Sequence, residues 1–208
     1  MNEALAARLE GSVRLPVRPQ AKKTYEKILT AAQEILAESG IEALNSNAVV
    51  ERAGLTAPVF YHYFKNKHAL LLVLASRLLD AQDEIYARLI SDAQADPEGV
   101  RQTSMAILSE TYELTANTVG AGALLTALRA IPEISQFRVE GNERAAWTTA
   151  EQLKAARPEL SDQEAYQRTL LGVEIGYSAI ELLLQRPGFA SPDVLELTAN
   201  AIVAVYFD

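Results

Sequence analysis

The chain has 208 residues, 49% apolar and 22% charged, with a net charge of −8, which suits one sizeable domain or two small ones with real cores. It has no cysteine and two histidines, which excludes disulfides, thiol nucleophiles and Cys-based zinc sites and leaves little for a His-ligated metal. No apolar run approaches the ~20 residues of a membrane span, and "MNEALAARLEGSVRLPVRPQ" lacks the apolar core and cleavage site of a signal peptide. A cytoplasmic protein without a membrane partner is expected.

Residues 1–19 read as a flexible basic arm: "VRLPVRPQ" has two prolines, two arginines and no sustained period. From Gln20 the apolar positions Tyr25, Ile28, Leu29, Ala32, Ile35 and Leu36 recur at helical spacing, and "ESG" predicts a stop with Gly40 as a left-handed cap. Asn45 or Ser46 can cap a short helix that ends at Gly54. Thr56 can cap a third, with Pro58 in its first turn. That third helix must absorb "VFYHYF", whose residues favour strands, because no partner strand is visible elsewhere. After Asn66 the chain reads as long amphipathic helices, with breaks at "SDAQADPEG", "NTVGAG", "RAIPEIS", "ARPELSDQ" and "QRPGFASPD". Two short helices joined by a tight glycine turn form a helix-turn-helix pattern.

Charge divides along the same line. Residues through His68 carry a net +2 and the remainder −10, so a mildly basic N-terminal part precedes an acidic body.

"ILTAAQEILAESGIEAL" followed by "ERAGLTAPVFYHYFKNKHALL" resembles the DNA-binding region of the TetR family of transcriptional regulators. Glu38-Ser39-Gly40, the Ala53-Gly54 turn, and Tyr61, Tyr63, Phe64, Lys67 and Leu70 carry the likeness, over about a quarter of the chain. The resemblance implies an all-α homodimer. Residues 20–66 would be a three-helix DNA-binding domain, and residues 67–208 a helical effector-binding and dimerisation domain. The third helix would enter a major groove of a double-stranded operator. An unknown small, mostly apolar effector would change the separation of the two reading heads and release DNA. No cofactor, metal or catalytic residue is implied.

On that reading Tyr61 touches the phosphate backbone, and Lys67 adds a cation at a helix start. His62 either touches DNA or is a plain surface residue. Phe60, Tyr63 and Phe64 belong to a small core. The sequence departs from the family at "TAPV": lysine or arginine is usual near Ala57, glycine at Pro58 and threonine at Val59. Ala57 and Val59 can meet thymine methyls, and Asn47 can pair with adenine, so an A·T-leaning operator is expected. Asn45, Thr56 and Pro58 complete the candidate face. Arg14, Arg18, Lys22 and Lys23 supply charge, with the arm entering a minor groove.

In the body, Tyr112, Arg129, Phe137, Trp147, Glu174 and Tyr177 are the ligand candidates. Gly172, Gly176, Ala179 and Leu183, with Leu195, Ala199 and Ile202, are candidates for a two-fold four-helix interface. Two other functions remain open: a helix-turn-helix adaptor acting through protein contacts, and an all-α enzyme. The enzyme has no Glu-x-x-His pair or catalytic constellation in its favour.

Overall fold

The computed structural model describes residues 11–189 and 192–208. Among them are nine α-helices: α1 Pro19–Ala43, α2 Ser46–Ala53, α3 Ala57–Tyr63, α4 Lys67–Ile90, α5 Pro97–Asn117, α6 Ala121–Ala130, α7 Pro132–Ala156, α8 Asp162–Gln185 and α9 Pro192–Phe207. A 3-10 turn, Pro187–Phe189, precedes α9. The fold is all-α, and the helices break at each of the five expected segments. The expected arm falls partly on residues 1–10, which lie outside the described residues.

Two compact units form. The first runs through Asp80 and takes in Asn117–Phe137; the second comprises Ala81–Ala116 and Arg138–Asp208. The contacts divide the chain at Asp80, within α4, whereas the expected boundary lies at Lys67. α4 starts at Lys67 and runs through the division at Asp80, and Leu70, Leu71, Val73, Leu74 and Leu78 on its first half are buried.

In the first unit, α1 buries Tyr25, Ile28, Leu29, Ala32, Ile35 and Leu36, the expected stripe. Gly40 interrupts it at φ 72°, ψ −173°. The φ is positive as expected, but the extended ψ belongs to a region reached essentially by glycine, not to a left-handed cap. The Asn45 Oδ1 accepts from the Ala48 N–H at 3.0 Å and starts α2. Gly54, left-handed at φ 64° and ψ 39°, ends it and donates to the carbonyls of Glu51 and Val50. Thr56 precedes α3 in extended conformation without a side-chain capping bond, and Pro58 sits in the first turn, where its missing N–H costs little. Arg77 of α4 holds α1 through two 2.7 Å bonds to Glu26. α6 packs on α1, and a Cβ on Gly120 would lie 2.8 Å from the Gln33 carbonyl oxygen.

The strand-favouring stretch has a partner after all. Phe64 leaves the helix in extended conformation and forms an antiparallel bridge with Val13. The Arg14 N–H donates to the Tyr63 carbonyl at 2.8 Å, and the Lys65 N–H to the Ser12 carbonyl at 2.9 Å. The arm is thus pinned at Ser12–Arg14, because these backbone bonds satisfy groups that the end of α3 leaves open.

The second unit has a core of Leu108, Leu153, Leu160, Ile180, Leu183, Leu195, Ile202 and Tyr206. α8 starts with a reciprocal capping box of Ser161 and Glu164 and packs against α9. Arg157 donates to the carbonyls of Tyr206 (3.1 Å) and Phe207 (2.8 Å), and Arg168 to that of Val205 (2.6 Å), so two guanidiniums cover the C-terminal carbonyls of α9.

Candidate nucleic-acid interface and ligand cavity

The first unit sorts the aromatics of "VFYHYF" by face. Phe60, Tyr63 and Phe64 are buried, with Tyr25 stacked on Phe64 at 5.0 Å and edge-on to Tyr63 at 5.5 Å. Tyr61 points outward, 57% exposed, and its hydroxyl shares a 3.0 Å hydrogen bond with the Ser46 hydroxyl. That bond joins α3 to the first residue of α2. His62 is exposed, with its ring edge-on to Tyr63. Asn47, Thr56 and Pro58 are exposed, while Ala57 and Val59 are half-buried.

The cations surround this face in the sequence and are open to solvent. Arg14, Arg18, Lys22 and Lys23 are exposed, and Lys67 is half-buried at the start of α4, where Asn66 caps by accepting from the Ala69 N–H at 2.9 Å. None of α1, α2, α3 or α4 carries an acidic residue in its first turn. Asn45 and Asn66 cap α2 and α4 with neutral amide oxygens, and α1 and α3 have no side-chain capping bond, so no first-turn carboxylate neutralises these dipole ends, the condition that favours phosphate. Asn45 drops out of the base-reading candidates. Its Oδ1 is taken by Ala48 and its Nδ2 donates to the Ala43 carbonyl at 3.1 Å.

The second unit contains a cavity of about 100 Å³. Gln82, Tyr86 and Ile90 approach it from α4, Ile107 and Thr111 from α5, and Thr149 and Gln152 from α7. Gly172, Gly176 and Tyr177 of α8 and Ile202 and Tyr206 of α9 close it. Several of its polar groups hold one another. The Tyr177 hydroxyl donates to the Gln82 Oε1 at 3.4 Å, and the Gln82 Nε2 donates to the Thr115 hydroxyl at 2.9 Å. Tyr86 and Thr149 share a hydrogen bond beside the Ala145 carbonyl. Burial pushes the Tyr86, Tyr177 and Tyr206 hydroxyls above the usual tyrosine range, so each remains protonated.

Of the six ligand candidates, Tyr177 lines this cavity. The Glu174 carboxylate, one turn earlier on α8, is held by Arg138 at 3.0 Å and Asn142 at 2.7 Å. A carboxylate on that helix is tolerable because it is paired. Trp147 is 50% exposed and stacks on Tyr166 at 4.2 Å. Tyr112 packs partly buried against the core, and Arg129 and Phe137 belong to the first unit.

Most of the interface candidates lie inside the subunit. Gly172, Gly176, Leu183, Leu195, Ala199 and Ile202 are buried within the subunit, and Ala179 is half-buried. Gly172 is small because Tyr206 lies over it: a Cβ there would sit 2.6 Å from the ring. Gly176 faces Leu108 at 3.3 Å by the same measure. The cavity residues missed from sequence were detectable in one way. Gln82, Thr111 and Thr149 are polar residues on otherwise apolar helical stripes, and each is buried.

Residues 28–74 match the family described as "Bacterial regulatory proteins, tetR family". The HTH-type transcriptional regulator EthR of Mycolicibacterium smegmatis is 27% identical over 151 residues, covering 70% of this chain and 69% of that protein. The tetracycline repressor protein class C of Escherichia coli is 41% identical over 58 residues, 28% of this chain and 26% of that one. Among solved structures, a tetR-family transcriptional regulator from Streptomyces coelicolor superposes with a TM-score of 0.65 at 12% identity, covering 92% of this chain and 82% of its own. That last likeness is one of fold.

Proposed function

Because the chain belongs to the TetR family of DNA-binding helix-turn-helix transcriptional regulators, we propose that it is a repressor that binds its operator as a homodimer and is released by a small, mostly apolar effector. The observation that carries the DNA half is the surface of the first unit. Four helix starts without acidic residues lie in a segment with exposed Arg14, Arg18, Lys22, Lys23 and Tyr61. Lys67, the cations and the Tyr61–Ser46 hydroxyl pair serve phosphates. Asn47, Ala57 and Val59 face bases and favour A·T pairs, with Thr56, Pro58 and His62 at the border. The cavity of the second unit supports the effector half.

The proposed dimer face is the stripe that remains exposed. Leu171 (52%), Leu182 (41%) and Leu197 (68%) lie outward on α8 and α9. Exposed Ser178 and the partly buried Ile175 fall between the first two at helical spacing, and exposed Ala201 and Ala204 continue the third. Together they offer each copy a two-helix surface for a two-fold contact. Light scattering after size exclusion is expected to give twice the chain mass. A Leu171→Glu/Leu182→Glu/Leu197→Glu variant is expected to give a folded monomer. A wild-type monomer at micromolar concentration contradicts the proposal.

A mobility shift with DNA from upstream of the protein's own gene tests the regulator reading. The expected result is a specific complex that survives competitor DNA and weakens with salt. Binding-site selection is expected to return A·T pairs opposite Asn47, Ala57 and Val59. Invariant G·C pairs there overturn that part.

A further inference from the structure

The segment that leads into α1 is held at both ends. Val13 bridges Phe64, the Arg14 N–H donates to the Tyr63 carbonyl at 2.8 Å, and the Lys65 N–H donates to the Ser12 carbonyl at 2.9 Å. Arg18 is the N-cap of α1 in extended conformation, and its carbonyl accepts from the Lys22 N–H at 2.9 Å. Between these anchors run Leu15, Pro16 and Val17. Pro16 and Pro19 fix their own φ and keep the residues before them, Leu15 and Arg18, extended. The result is a short arch with little conformational freedom to lose on binding.

The arch turns apolar side chains to solvent. Val17 is 87% exposed and Leu15 47%. Arg14 and Arg18, also exposed, flank them, and no acidic residue lies between Gly11 and Tyr25. Single exposed apolar residues are ordinary; here two stand on a pinned backbone between two cations. The cations select a polyanion, and the apolar tip selects its uncharged part. The arch is bonded to Tyr63, the last residue of α3, whose hydroxyl also donates to the Ala21 carbonyl at 3.4 Å. It therefore adjoins the helix assigned to the major groove, on the side where an arm meets the neighbouring minor groove.

We propose that Leu15 and Val17 enter the minor groove flanking each half-site and read it by exclusion, with Arg14 and Arg18 on the phosphates of its walls. An A·T pair shows only acceptors there, adenine N3 and thymine O2, whereas a G·C pair adds the guanine N2 amino group. Apolar side chains cover that donor and offer it no acceptor, so G·C pairs are penalised. The inference rests on reading the first unit as the DNA-binding one, and it concerns base pairs outside the reach of α3.

Inosine separates this readout from the major-groove one. An I·C pair resembles G·C in the major groove and A·T in the minor groove, because it lacks the N2 amino group. Hydroxyl-radical footprinting on DNA from upstream of the protein's own gene locates the protected flank of each half-site. Duplexes of that site are then made with A·T, I·C or G·C pairs in the flank. The full chain is expected to bind A·T and I·C flanks alike and G·C flanks about tenfold more weakly, the value of one buried group left unsatisfied. Leu15→Ser/Val17→Ser keeps every cation and the Ser12–Arg14 backbone pairing. It is expected to bring the three flanks within about twofold of one another, with an unchanged slope of log Kobs against log[salt]. Equal wild-type binding to A·T and G·C flanks, or I·C binding as weakly as G·C, overturns the readout. So does a preference that survives the double substitution, which assigns it to the arginines and groove width. A lower melting temperature of the free variant with the flank preference intact places Leu15 and Val17 in the chain's own packing and overturns it as well. A wild-type chain that forms no specific complex overturns the regulator reading itself, and this readout with it.

Discussion

The two units treat their helix ends in opposite ways. In the second, α5 starts with Glu98, α8 with Asp162 and Glu164, and α9 with Asp193, so the positive ends of the dipoles meet carboxylates. In the first, α1 to α4 start without an acidic residue, and Lys22 and Lys23 occupy the first turns of α1. Placing cations there costs intrinsic helix stability, of the order of a few tenths of a kcal/mol each. The first unit therefore leaves these positive ends without carboxylates. The second places carboxylates at the starts of α5, α8 and α9 and holds a cavity lined by no charged residue among the described ones.

Glycine substitutions sharpen the contrast, because the units use glycine for different reasons. The largest effect is expected at Gly172→Val, which drives side-chain atoms into Tyr206. Unfolding in urea is expected to show a loss of about 3 kcal/mol, the upper range for overpacking. A loss below 1 kcal/mol would mean that the Tyr206 ring is free to move away.

Gly40→Ala comes next, at about 2 kcal/mol, from backbone strain. Nothing lies within 4 Å of the Cβ it would add, so no clash contributes. An unchanged urea midpoint would show that the α1–α2 connection relaxes out of its positive φ.

The difference in glycine use also explains what could be read in advance. The reading head is punctuated locally: Asn45, Gly54 and Pro58 each fix a helix end within a few residues, so the three helices and the sorting of Phe60, Tyr61, Tyr63 and Phe64 follow from spacing. The Val13–Phe64 bridge was not legible, because one extended residue at each end leaves no alternating pattern. The cavity draws on residues from Gln82 to Tyr206 on five helices. Helical spacing says that Gly172 and Gly176 share a face with Ile180, but not whether that face meets a second subunit or Tyr206 and Leu108 of the same one. The expectation of an apolar lining with a few polar groups named Trp147 and Phe137 beside Tyr177; Tyr177 lines the cavity, together with Gln and Thr on apolar stripes.

Smaller effects are expected in the first unit. Tyr61→Phe removes the hydroxyl shared with Ser46. Operator affinity is expected to fall about fivefold, equally across operator variants, as for a lost phosphate contact. A fall confined to some base substitutions would make Tyr61 a base reader instead.

Tyr25→Phe has the smallest effect and the opposite sign. The Tyr25 hydroxyl is buried without a hydrogen-bond partner among the described residues, and its removal is expected to stabilise the unit by about 1 kcal/mol. Burial pushes this phenol up to about 12. A raised acid favours the protonated folded state, so its contribution is intact below the ordinary tyrosine value of about 10 and is lost as pH climbs toward about 12. Tyr25→Phe is expected to flatten that part of the melting temperature against pH. An equally steep decline would assign it to the other buried tyrosines.

The open positive ends of the first unit are tested most directly by the salt dependence of operator binding. If Arg14, Arg18, Lys22, Lys23 and Lys67 of both copies meet phosphate, log Kobs falls against log[salt] with a slope of about −9. Lys22→Ala/Lys23→Ala then lowers its magnitude by roughly 3 to 4. Neutralising Arg14→Gln/Arg18→Gln has a similar effect and preserves the Ser12–Arg14 backbone pairing that deletion of the arm would destroy. A slope smaller in magnitude than about 2, unchanged by either pair of substitutions, would contradict the account.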